Sequence, residues 1–211
     1  MGKQGTIVID PGHGGAAKTG GSSANNATSP SGVLEKNVTL EMAFLTRDAL
    51  LAEANAGGHQ LKVVLTREDD SNLGLSARAN VAKKEKAKLF LSIHCNASDA
   101  HNARGVETLI RPANLGNVNH AEDKAFAQKI QNAVFGAIKA RDAKTKDRGV
   151  KDQELGVLRD EELGPNVAAC LVELEFIDRT DVDELLNIGP DSPAVREEIA
   201  LAIAQAMIAA L

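Results

Sequence analysis

Three apolar runs constrain what this chain can fold into. "TIVID" (6–10), "AKLFLSIHCNA" (87–97) and "VAACLVELEFI" (167–177) are rich in β-branched and aliphatic residues. They lack the alternation of a half-solvated strand, so they read as strands buried on both faces. "LKVVLTR" (61–67) reads as another strand, and "GVETLIR" (105–111) alternates as an edge strand would. Between them the period changes. Val38, Met42, Leu45, Ala49 and Ala52 predict a helix from Glu35, stopped by Gly57-Gly58. Ser76 is expected to cap a short helix through about Lys86. Phe126, Ile130, Val134, Ala137 and Ile138 mark another helix. Pro193, after Ser192, opens a C-terminal helix with Ile199, Ile203, Ala206, Met207 and Ala210 as its stripe. Residues 16–33 form a long polar loop, and residues 141–166 read as mostly polar and irregular. The alternation predicts an α/β fold: a mostly parallel, twisted sheet of about six strands with helices on both faces. The 211 residues suit a single domain over 1–211.

Composition removes several function classes. There are five Phe and neither Trp nor Tyr, so a stacked-aromatic sugar platform is not expected. Residues 1–150 hold 20 Lys+Arg against 15 Asp+Glu, whereas residues 151–211 hold 4 against 14. No basic stripe is interleaved with aromatics, which argues against nucleic acid. No stretch approaches the ~20 apolar residues of a membrane span, and the polar start at residues 1–6 does not read as a signal peptide. Cys95 and Cys170 lie in apolar runs outside any C-x-x-C pair, and read as buried thiols.

The chemistry gathers where strands end. His13 follows the first strand in "IVIDPGHGG", His94 closes the third, Glu173 lies inside the last, and Glu35 opens the first long helix. In a parallel sheet the carboxyl ends of the strands carry ligand sites. Two imidazoles and a carboxylate suit Zn²⁺, whose catalytic sites hold three protein ligands and a water. Taken singly, each has a plainer reading. His13 is a loop histidine, His94 a satisfied core histidine, and Glu35 an acid favoured by the helix dipole. Glu173 differs, because a carboxylate among apolar neighbours is expensive without a partner.

Taken in order, "IVIDPGHGG", "SGVLEKNVTLEMA", "LFLSIHCNAS" and "ACLVELEFID" resemble the zinc-dependent N-acetylmuramoyl-L-alanine amidases of the amidase-3 type. "TREDD" (66–70) and "LSARAN" (75–80) look like further family segments, so the resemblance spans nearly the whole chain. It implies one zinc ion on His13, Glu35 and His94, with Glu173 as the catalytic carboxylate. The implied reaction hydrolyses the amide between N-acetylmuramic acid and L-alanine in peptidoglycan. Competing readings are a zinc peptidase cutting within the stem peptide and a non-catalytic peptidoglycan-binding module.

Four further residues enter as substrate-binding or orienting candidates. Asp10 and Asn96 flank the histidines and could orient them; for Asp10, bonding the next turn's backbone amides is the preferred reading. Arg67 is expected to brace a loop carboxylate such as Asp69 or Asp70. Glu175 replaces a glycine common in the family, and two residues from Glu173 it is expected on the same face. Some family members carry a helix that blocks the site. Residues from about 141 to 165 are too short and polar for one, so an open, constitutively active site is expected. A monomer is expected as well. The substrate implies a periplasmic or extracellular, cell-wall location, reached by export or, for a phage lysin, through a membrane pore.

Overall fold

The computed structural model describes residues 2–211. Six strands form one sheet: β1 (Gln4–Pro11), β2 (Gln60–Leu65), β3 (Leu89–Asn96), β4 (Val106–Ile110), β5 (Asp147–Asp152) and β6 (Ala168–Phe176). Their order is β2-β1-β3-β6-β4-β5. All neighbours are parallel except β4 and β6, which run antiparallel. The α/β, mostly parallel expectation holds, with helices on both faces.

Two layers explain the continuous apolar runs. Ile7, Ile9, Leu91, Ile93 and Val172 point into a core under α1 (Glu35–Ala56), α3 (His120–Arg141) and α6 (Ser192–Ala210). Val8, Phe90, Ala169 and Leu171 point the other way, under α2 (Leu75–Lys84) and the short α4 (Asp160–Leu163). Alternate residues therefore serve opposite cores, and neither face can be polar. A further short helix, α5 (Thr180–Asp183), follows β6.

Three local expectations are corrected. Gly74, not Ser76, occupies the N-cap of α2, and its cap has no side-chain hydrogen bond. Residues 141–166 are not wholly irregular, because they contain β5 and α4. The "GVETLIR" segment is not an edge strand, because β5 pairs with its outer side. β5, "DRGVKD", pairs on one side only and leaves most of its residues partly or fully exposed, so it carries no apolar signal.

Candidate metal centre

The site is built where β1, β3 and β6 end together. β1 delivers the chain to Pro11, and Gly12 N–H then donates to Ile93 O of β3 at 3.0 Å. His13 follows in a left-handed conformation, φ 61°, which is uncommon outside glycine. Buried cations hold that turn. Arg67 donates to Pro11 O (3.1 Å) and Gly12 O (2.8 Å), and Arg78 donates to Pro11 O (2.7 Å) and His13 O (2.6 Å). The turn's carbonyls thus point inward to guanidinium groups and its imidazole points out. Gly12 is needed for contact: a Cβ there would lie 2.3 Å from the His94 ring.

His13, Glu35 and His94 converge. Glu35 Oε1 lies 3.2 Å from His13 Nε2 and 3.1 Å from His94 Nδ1. The three ligand atoms all lie within 4.8 Å of one another. Ligands at zinc distances on a tetrahedron stand about 3.3 Å apart, so the donor types and the two distances to Glu35 fit a zinc ion. The outer contacts fit as well. His13 Nδ1 faces Ser23 O at 3.1 Å and Ser23 Oγ at 2.9 Å, so a proton on Nδ1 leaves Nε2 as the free lone pair. Glu35 accepts from Ala27 N and Cys95 N, each at 3.0 Å. The polar loop 16–33 therefore serves the centre directly. Burial alone would raise the Glu35 carboxyl, but hydrogen bonds from both histidines outweigh it and hold it at about 2. Burial pulls the His13 imidazole down, and Glu35 pushes it above its ordinary value.

Glu173 of β6 is the register partner of His94 on β3. Its Oε2 is buried with no hydrogen-bond partner among the described residues. Burial, reinforced by the Glu35 and Glu107 carboxylates, pushes its carboxyl well above the usual range. On its other side Glu173 pairs with Glu107 of β4.

The four remaining candidates lie elsewhere than expected. Asp10 touches neither imidazole nor amide; it accepts from Thr66 Oγ1 (2.5 Å), Ser92 Oγ (2.7 Å) and Arg78 Nη1 (2.9 Å). It reaches His13 only by fixing Arg78. Arg67 braces main-chain oxygens, including that of Asp69 at 2.8 Å, rather than a loop carboxylate. Asn96 donates to Glu107 at 2.8 Å, not to His94. Glu175 does not share the site with Glu173. The register shifts by one residue between His94↔Glu173 and Asn96↔Phe176, and this bulge turns Glu175 away. Its carboxylate is fully buried and accepts from Arg104 Nε, Thr145 Oγ1, Gly105 N and Phe176 N. Arg78 is the supporting residue without a sequence signal: nothing in "LSARAN" marks an arginine that is buried.

A family model described as N-acetylmuramoyl-L-alanine amidase, of the amidase-3 type, matches residues 7–209. The chain belongs to this amidase family. Bacterial and phage relatives are both similar to it. N-acetylmuramoyl-L-alanine amidase LytC of Bacillus subtilis is 36% identical over 172 residues, covering 82% of this chain and 29% of that protein. The endolysin of Bacillus phage SPP1 is 31% identical over 182 residues, covering 86% and 58%. Among solved structures, the catalytic domain of CwlV, an N-acetylmuramoyl-L-alanine amidase from Bacillus (Paenibacillus) polymyxa var. colistinus, superposes with a TM-score of 0.74. It is 27% identical and covers 96% of this chain and 95% of that one. The chain spans between 29% and 60% of the length of the curated relatives it matches. Some described features bear on access to the amidase-type centre. Residues 141–165 hold a strand, a 3-10 turn and a four-residue helix, and no long helix. No helix among the described residues is long and apolar enough to cross a membrane.

Proposed function

We propose that this chain is a zinc-dependent amidase cleaving the bond between the lactyl group of N-acetylmuramic acid and L-alanine of the peptidoglycan stem. The observation that carries this reading is the convergence of His13 Nε2, His94 Nδ1 and Glu35 Oε1, with the unpartnered Glu173 carboxylate one strand away. Zinc held by His13, Glu35 and His94 would supply a Lewis acid that polarises an amide carbonyl and brings the pKa of water to about 7. The chain's own residues do the rest. Arg67, Arg78 and Thr39 hold the Gly12 and His13 carbonyls, which fixes the imidazole. Ser23 sets its tautomer. Glu173 takes the proton of the attacking water and returns it to the leaving nitrogen.

The substrate places the action in the cell wall, outside the cytoplasmic membrane. A single copy carries every residue the mechanism uses, so a monomer suffices and no activator is required. The test is mass spectrometry of muropeptides digested with and without a chelator. Intact stem peptides with an L-alanine N-terminus, lost on chelation and restored by zinc, are expected. L-alanine left on the sugar would make the chain a stem-peptide peptidase instead. Zinc binding with no cleavage would make it a binding module.

A further inference from the structure

The polar row that begins at the metal centre continues across the sheet. His94, Glu173 and Glu107 are register partners on β3, β6 and β4, so their side chains share one face. Glu107 is buried, and it ends the row in two cations from β5. Arg148 Nε donates to Glu107 Oε2 at 2.7 Å, and Lys151 Nζ donates to the same oxygen. Glu107 Oε1 is already taken by Asn96. Two positive charges therefore share one carboxylate, and both lie toward solvent: the side chains are 33% and 43% exposed, against 10% for Glu107.

Arg148 is also set for an incoming partner. Its guanidinium lies over the Phe176 ring, 5.0 Å from the centroid, which limits its rotation. Its terminal nitrogens make no hydrogen bond to the described residues, so the fork that grips carboxylates in bidentate fashion is free. Lys151 has three donors and uses one.

We propose that Arg148 and Lys151 form a subsite for a free carboxylate on the stem peptide, on the residue that follows L-alanine. This rests on the amidase reading and names what its site selects. Strands lie about 4.8 Å apart, so Glu107 stands about 10 Å from His94 across the row. An extended peptide advances about 3.5 Å per residue. A carboxylate on the second residue, about 7 Å beyond the scissile bond, falls within reach of cations that lean from β5 back to Glu107. The acidic second residue of the stem presents such a group when it is not amidated. The amidated form offers a neutral carboxamide, which neither needs nor rewards the spare charge.

The test uses the zinc-loaded protein and two muropeptides that differ only in amidation of the second residue. Wild type is expected to favour the free carboxylate about tenfold in kcat/KM, mainly through KM. Arg148→Gln with Lys151→Gln should abolish that preference. A triple variant adding Glu107→Gln avoids leaving a buried carboxylate alone and should abolish it equally. A second readout is calorimetric binding of the released tripeptide, free or amidated, to the zinc-free protein; only the free form should lose affinity in the variants. Wild type without preference, or variants that keep it, would overturn the subsite. Cleavage at another bond, with the carboxylate-dependent binding intact, would overturn the amidase reading and leave the subsite standing.

Discussion

Glu173 and Glu175 lie on one strand, two residues apart, in opposite circumstances. Glu175 is fully buried and satisfied: it receives four hydrogen bonds, and Arg104 links it to Asp142 and Asp181. Glu173 lies beside His94 with one oxygen bonded to nothing. Burying a charge is costly, so a fold either completes its partners or leaves the gap where a ligand or a proton will fill it. The bulge after Glu173 separates the two outcomes on one strand. A completed network is a structural device, and the incomplete one is where chemistry can occur.

The largest effect should come from the incomplete side. Glu173→Gln is expected to lower hydrolysis by about 10²–10⁴-fold while zinc content, read by atomic absorption, stays at wild-type level. His13→Ala should lose the metal as well. If Glu173→Gln kept full activity and Glu175→Gln lost it, the two roles would be exchanged.

The completed side should answer in stability instead. Arg104→Met leaves Glu175, at 0% exposure, without its cation. Breaking a buried pair from one side costs about 3–5 kcal/mol, which urea unfolding would register. Activity per folded molecule should hold. A loss of activity without a loss of stability would show that the network acts on the site after all.

A third carboxylate lies between these extremes. Asp123 is buried near the start of β6, where Ala169 N donates at 2.7 Å and Asn117 Nδ2 at 2.9 Å, but no cation reaches it. Burial outweighs those donors and raises its pKa to about 7, against 3.8 for an ordinary aspartate. A raised acid favours the fold when protonated, so its contribution is complete below the unfolded value and lost as pH rises toward 7. The loss is ~4 kcal/mol at most. Asp123→Asn should flatten the unfolding free energy across that window. An unchanged pH slope would mean that Asp123 is not the group responsible.

The same distinction explains what could be read in advance. The runs at 6–10, 87–97 and 167–177 were legible because both faces of these strands are buried, which forces continuous apolar sequence. β5 was not, because an edge strand with exposed side chains needs no such pattern, and its absence made β4 look like an edge. His13, Glu35, His94 and Glu173 were picked out by chemical type and by family resemblance, since no local spacing joins them. The supporting charges were hidden. Arg78 lies on a short helix, where an arginine ordinarily faces water, and only the fold turns it toward the carbonyls of Pro11 and His13. Glu175 was misplaced because period-two reasoning assumes an unbroken strand, and one extra residue reverses it.

The smallest effect is expected where charges meet in water. Lys36 Nζ lies 2.8 Å from Asp70 Oδ2, and Asp70 Oδ1 accepts from Gly15 N at 2.9 Å, at the mouth of the same turn. The Asp70 side chain is 60% exposed, so solvent screens the pair. Its carboxyl is held below the ordinary value of 3.8, chiefly by the Lys36 hydrogen bond. Its contribution is therefore present above that value and fades as pH falls below it. Asp70→Asn should cost less than about 1 kcal/mol in urea unfolding at neutral pH, with the cost shrinking in high salt. It should leave zinc content unchanged, because His13 is held by Arg67 and Arg78 from within rather than by the rim. A loss of zinc in this variant would mean that the exposed pair, and not the buried guanidinium groups, sets the histidine.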